Sequence, residues 1–318
     1  MLQLFKKSIR KDAQVAVCFD EHAISLARVR RDKDMPPMLD YCEVQQVDNL
    51  SLQGAELARL TNNHHLDNYE CVSTLELGNY NLLLVEAPDV QPEELRAAIR
   101  WRVKDLIDFH IDDAVVDVFE VPNQKTAGRN KMMYAVVARA DVVKQKIEQL
   151  IKAGLHLNVI DIPELALRNI AALLPEDVGG VALVYIGESS GLITITRQST
   201  LYFSRRIEIG LRELPETIMS ADNDLVTSWL DSIIVEVQRS LDYYESHFSQ
   251  PQVSAIVVSP MSKEVPGMLN YLSSQIDVPV RTLNVNELID VTEPVSVEMQ
   301  SYCMLAIGAA LREESVAL

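Results

Sequence analysis

The chain has 318 residues, 48% of them hydrophobic and 24% charged, and 29 Lys and Arg against 46 Asp and Glu give a formal net charge of −17. That field repels nucleic-acid phosphates and anionic lipid, so neither is the target of the protein as a whole, and the length exceeds what one hydrophobic core readily organises, so two lobes are expected. The four cysteines, Cys18, Cys42, Cys71 and Cys303, are far apart with no Cys-x-x-Cys pair, which argues against structural zinc and for buried thiols in a reducing compartment.

The first residues, MLQLFKKSIRK, set Leu2, Leu4, Phe5 and Ile9 among Lys6, Lys7, Arg10 and Lys11. Residues 1–12 read as a basic amphipathic leader, either a solvated arm or a weak foot on a membrane surface. No stretch reaches the roughly 18 uninterrupted apolar residues of a membrane span, and no signal-peptide core is present, so a cytoplasmic location is expected.

Residues 14–19, 23–30 and 38–46 predict three consecutive strands with short turns. A helix follows over 50–60, from the spacing of Leu52, Leu57 and Leu60, and then strands over 69–77 and 80–87. In residues 90–109, Pro92 suits a first helical turn, and Leu95, Ile99, Val103 and Leu106 share one helical face. Strands at 114–121 and 132–140 and a helix at 141–154, from Asp141 to Gly154, complete a helix-strand-strand-helix unit. It reads as an α+β subdomain over about 90–155, inserted into a first lobe of residues 13–175.

A second lobe, residues 176–299, restarts with three strands at 181–187, 191–197 and 200–207. A long helix at 225–248 and strands near 253–259 and 278–283 follow, and a last helix within 300–318 is expected to return toward the first lobe. The two openings look like a duplication, with Val17-Cys18-Phe19 against Val184-Tyr185-Ile186. The fold class is therefore α/β, two lobes of duplicated β-β-β-α-β order, as in actin, hexokinase and Hsp70.

The stretches EELRAAIRWRVKDLIDFHIDDAVVDVFEV, AGLHLNVIDIPELALRN, SRRIEIG and EVQRSLDYYES sharpen this. Together they resemble the PilM family, actin-like cytoplasmic proteins of type IV pilus machines related in fold to FtsA. The resemblance runs from about residue 13 to 312, and size and divergence are most similar to MshI of the mannose-sensitive haemagglutinin (MSHA) pilus system. It implies a protein under the inner membrane that takes the cytoplasmic tail of a single-span PilN-type protein and communicates with the assembly ATPase. It also implies that the tail's groove lies between the first lobe and the inserted subdomain, walled by the helix around Arg96, Ile99, Arg100 and Trp101. Arg96, Arg100 and Arg102 make that helix locally basic, suited to an acidic segment, or they are merely solvated around a core Ile99.

The same resemblance locates a nucleotide site and its losses. PilM relatives resemble Asp-Ile-Gly-Ser-Ser-Ser-Ile-Lys at the first phosphate turn, where this chain has Cys18-Phe19-Asp20-Glu21-His22-Ala23-Ile24-Ser25. Cysteine replaces the metal-positioning aspartate, and carboxylates stand where phosphate oxygens belong. Each such repulsion at ~4 Å costs about 1–4 kcal/mol. A slipped register would make Asp20 the aspartate, with Glu21 and His22 still replacing glycine. The second turn has Tyr185 for aspartate and retains Gly187, Ser189 and Ser190; the third retains Ser259 but has Pro260 and Met261 for a glycine pair. Glu236 and Arg239 match residues facing ribose and adenine, or form an exposed structural pair. The expectation is a vestigial site without catalysis, metal or bound cofactor; the alternative is an Mg-ATP-binding actin-like switch of pilus or type II secretion machinery.

Overall fold

The computed structural model describes residues 9–20, 22–32, 35–47, 52–121, 131–216, 218 and 224–313. The first lobe opens with an antiparallel meander of β1 (Arg10–Phe19), β2 (Ala23–Arg30) and β3 (Met38–Gln46). Helix α1 (Gln53–Asn63) crosses over to β4 (Tyr69–Thr74), which lies parallel to β1. Then come β5 (Tyr80–Glu86), α2 (Pro92–Val103), β6 (Ala114–Glu120), β7 (Met132–Arg139), α3 (Ala140–Lys152), β8 (His156–Asp161) and α4 (Pro163–Ala171).

The second lobe repeats the plan with β9 (Val181–Ile186), β10 (Gly191–Arg197) and β11 (Thr200–Ile207), followed by α5 (Asp224–Phe248), β12 (Ala255–Val258), α6 (Met268–Gln275) and β13 (Val280–Thr282). Helix α7 (Val285–Leu288), the short β14 (Asp290–Val291) and α8 (Val297–Ala310) close the chain. The first sheet has the order β14-β3-β2-β1-β4-β8 and the second β11-β10-β9-β12-β13. Removing β14 leaves identical topologies, so the duplication read in the two openings extends through each sheet. Strand β14 pairs with β3 of the first lobe, a return crossing too short to register as a strand in the sequence.

Alternation decides the layers, because successive strand residues face opposite sides. Val15, Val17, Leu26 and Cys71 face α1 and α3 in one core. Ala16, Cys18, Ala27 and Val72 face α4 and α8 in another, which also holds Val181, Leu183 and Val257 of the second sheet. Helices α4 and α8 are thus a central layer between the two sheets, and α8 packs on β1, β2, β3 and β4. Gly308 permits that packing: a Cβ there would lie 2.3 Å from the Ala166 carbonyl oxygen.

The inserted unit has different bounds from those expected. Strand β5 joins it, in a sheet of order β5-β7-β6. Helix α3 leaves it, since Leu150 belongs to the first-lobe core with Leu57 and Leu60. The unit is therefore β5-α2-β6-β7, residues 80–139. Helix α2 covers one face through Ile99 and Val103. The other face packs Tyr134, Leu82, Leu84 and Phe119 on the second lobe, where the Tyr134 hydroxyl donates to the Tyr202 carbonyl at 2.9 Å. Of the leader, residues 1–8 lie outside the described residues, and Arg10–Asp12 are part of β1.

Candidate functional site

The turns after β1 and β9 face each other across a cleft of about 770 Å³, within the range of roughly 300–1,000 Å³ that small-molecule sites occupy. Of the residues singled out as a vestigial nucleotide site, Cys18, Asp20, Tyr185, Gly187 and Ser189 all line it. They converge because the matching strands of the two lobes end at the same cleft.

Each turn closes on itself. The Asp20 N–H donates to the Ala23 carbonyl at 2.9 Å, and the Gly187 N–H donates to the Ser190 carbonyl at 2.9 Å. These are donors that a phosphate-cradling turn aims outward. Gly187 is needed for closeness, since a Cβ would meet the Ser190 carbonyl oxygen at 2.9 Å. The carbonyls of Gly187 and Glu188 accept from the N–H groups of Leu211 and Arg212, at 3.0 and 2.9 Å.

Cys18 is 3% exposed. Its thiol accepts from the Thr74 hydroxyl at 3.2 Å. Burial pushes that thiol up to about 11, against the lowering effect of the Thr74 hydrogen bond, so it stays protonated at neutrality. Burial likewise raises the Tyr185 hydroxyl, helped by the charges of Asp20 and Glu188. The centre of the cleft therefore offers a neutral phenol flanked by one carboxylate from each lobe. Glu188 is further held by the Ser262 hydroxyl at 3.2 Å.

Two cations were not legible as belonging near the site: Arg206 lines the cleft, and Lys146 stands behind two of its lining residues, Glu76 and Phe19. Lys146 of α3 is only 5% exposed; it pairs with Glu76 and stands 3.9 Å from the centroid of the Phe19 ring. Arg206 of β11 lines the cleft and pairs with Glu208 at 3.0 Å. Lys146 sits on a helix whose pattern reads as ordinarily amphipathic, and only the docking of α3 beside β1 brings it here.

Three expected residues are not part of the cleft lining. Glu236 binds Arg205 at 3.1 Å and Arg239 at 2.8 Å, an ion-pair cluster on the flank of α5 that fits the structural alternative. Ser259 is buried, and its hydroxyl has no hydrogen-bond partner among the described residues. Met261 packs on the apolar core beneath the second sheet, where a base-accepting turn would need open space.

The partner wall also needs correction. Ile99 is fully buried between α2 and its sheet, so it cannot face a partner. Arg100 donates to the carbonyls of Ala114, at 2.9 Å, and Ile111; it fastens the loop leading into β6. Arg96 pairs with Asp117 at 3.1 Å and Arg102 with Glu86 at 3.6 Å, so the expected basic surface is internally compensated. Trp101 is 70% exposed on the outer face, with the Lys104 ammonium 5.5 Å from its ring centroid.

Among the described residues, no group of three or more His, Cys, Asp or Glu side chains is placed to hold a metal ion. Among them, too, no helix is long and apolar enough to cross a membrane.

Residues 84–223 match the family model described as type IV pilus assembly protein PilM. A search of the curated proteins finds no match. Among solved structures, the chain is similar to a PilM–PilN type IV pilus biogenesis complex at 19% identity and a TM-score of 0.75, covering 94% of this chain and 97% of that one. It is also similar to the cytoplasmic domain of EpsL, an inner-membrane component of the type II secretion system of Vibrio cholerae, at 12% identity and a TM-score of 0.52, covering 95% and 96%. A Bacteroides thetaiotaomicron protein with an actin-like ATPase fold aligns at 10% identity and a TM-score of 0.50, covering 95% and 98%. The fold is actin-like.

Proposed function

We propose that this chain is a non-catalytic adaptor of a type IV pilus assembly platform. In this reading it works at the cytoplasmic face of the inner membrane, binds the cytoplasmic tail of a PilN-like protein and couples that protein to the assembly ATPase. The carrying observation is where the family likeness falls. The match to the PilM model over residues 84–223 contains α2, β6 and β7 of the inserted unit, and the partner in the similar solved complex is PilN. Size and divergence favour the MSHA branch, beside MshI.

The absence of catalysis and of a bound nucleotide is part of the proposal. It is supported by turn amides spent within their own turns, by the acidic Asp20 and Glu188 lining the cleft, and by Met261 packed on the core. A second reading, an Mg-ATP-dependent switch, draws on one observation, the open cleft of about 770 Å³ between the lobes.

The deciding experiment is calorimetric titration of the purified chain, first with Mg-ATP and then with a synthetic cytoplasmic tail of its PilN-like partner. Heat from the tail alone is the expected result. Saturable Mg-ATP binding in the millimolar range or tighter would replace the adaptor with the switch. Heat from neither would remove both.

A further inference from the structure

All four cysteines, remote in sequence, gather on the first sheet and its covering helix, and three of them share one layer. Cys18 on β1 and Cys42 on β3 belong to the face that α8 covers, and Cys303 comes down from α8 onto it. Cys71 belongs to the opposite core. Small residues make the approach close. Ala16 pairs with Ala27, and Ala27 pairs with Cys42, so Cys42 ends a row with two alanines beneath the helix. The Cys303 sulfur lies 3.6 Å from the carbonyl oxygen of Glu43, the residue after Cys42, and 3.8 Å from that of Leu26. All four thiols are free. Cys303 is completely buried, whereas Cys42 is partly open to solvent.

We propose that Cys42 and Cys303 are a modification site, a thiol pair that a small disulfide such as oxidised glutathione converts reversibly into a disulfide joining α8 to β3. The Cys42 thiolate attacks one sulfur of the small disulfide and expels one thiolate, giving a mixed disulfide on the accessible partner. Cys303 then loses its proton to solvent, and its sulfur attacks the Cys42 sulfur and expels the second thiolate. Two protein thiols are oxidised, and one small disulfide is reduced to two thiols. Contact with Cys42 and burial hold the Cys303 thiol well above its usual range, which makes the second step the slow one. Because α8 is the layer shared by both sheets, the bond would pin that shared helix to the first lobe. It would also close a very long loop in the unfolded chain, which raises the melting temperature. This inference is independent of the adaptor reading.

The test treats the full-length native protein with oxidised glutathione and reads intact mass and unreduced peptide maps over time. The expected product has lost two hydrogens, carries a Cys42–Cys303 linked peptide, melts at a higher temperature and reverts with dithiothreitol. Cys42→Ser and Cys303→Ala should each abolish the linked product, while Cys71→Ser should retain it. Four free thiols after exposure would overturn the proposal, as would a mixed disulfide that stops at Cys42 or a bond between Cys42 and Cys18. The wild-type map decides the matter even where the Cys303 variant folds poorly.

Discussion

Glu164 occupies the second position of α4, only 4% exposed, where the Tyr80 hydroxyl at the start of β5 donates to it. Burial raises its carboxyl to about 7, opposed by the Tyr80 hydrogen bond and reinforced by nearby Asp161. The folded protein therefore holds a proton that the unfolded chain has released, so stability falls as pH rises between about 4.5 and 7. The full span is worth on the order of 3 kcal/mol. Glu164→Gln should flatten the urea-midpoint profile over that interval and leave the variant more stable than wild type above pH 7. An unchanged profile would show that Glu164 titrates normally. Lys146 is the complementary case, a cation kept in a buried place by Glu76 and the face of Phe19.

Helix α2 separates two roles that sequence spacing had merged. Pro92 at its start and Glu93 and Glu94 in its first turn suit a helix N-terminus, and Ile99 and Val103 nail it to the three-stranded sheet. Ile99→Ala should cost about 2–5 kcal/mol, as a large-to-small change in a closed core, read as a lowered denaturant midpoint. Trp101→Ala removes an exposed ring and should change stability by less than about 0.5 kcal/mol. On the adaptor reading, it weakens binding of the PilN-like tail by at least about tenfold, as the loss of an aromatic anchor does. Tail affinity unchanged by Trp101→Ala would move the docking surface off the outer face of α2.

The hydrophobic layer of α4 and α8 lies between the two sheets, and a buried ion pair fastens the end of α8 to the first sheet. Arg312, just past α8, binds Asp161 at the end of β8 at 2.6 Å, with side chains 12% and 3% exposed. Burial raises the Asp161 carboxyl against the lowering influence of Arg312. Arg312→Ala strands that carboxylate and should cost about 3 kcal/mol at neutral pH. The deficit should shrink as pH falls and Asp161 takes up a proton, which thermal melts across pH would reveal. A deficit independent of pH would mean that lost packing, not lost charge, is responsible.

The order of the longer elements and the duplicated openings were legible in the sequence because they follow from local periodicity and turn chemistry. Long-range pairing lay beyond it. Tyr80–Glu86 reads as a strand of either sheet, and only its ladder with β7 assigns it to the inserted unit. Cys18, Asp20, Tyr185, Gly187 and Ser189 were named from the same resemblance as Glu236, Arg239 and Ser259; the first five line the cleft, where the matching strands of the two lobes end, and the last three do not. Whether Arg100 is a surface charge or a loop fastener depends on carbonyls eleven and fourteen residues away. The sequence by itself determined where the longer strands and helices lie and which face of α2 is apolar. The tertiary structure alone decided which charges meet, which thiols share a layer and which tryptophan stays in water, since those depend on contacts between residues far apart in the chain.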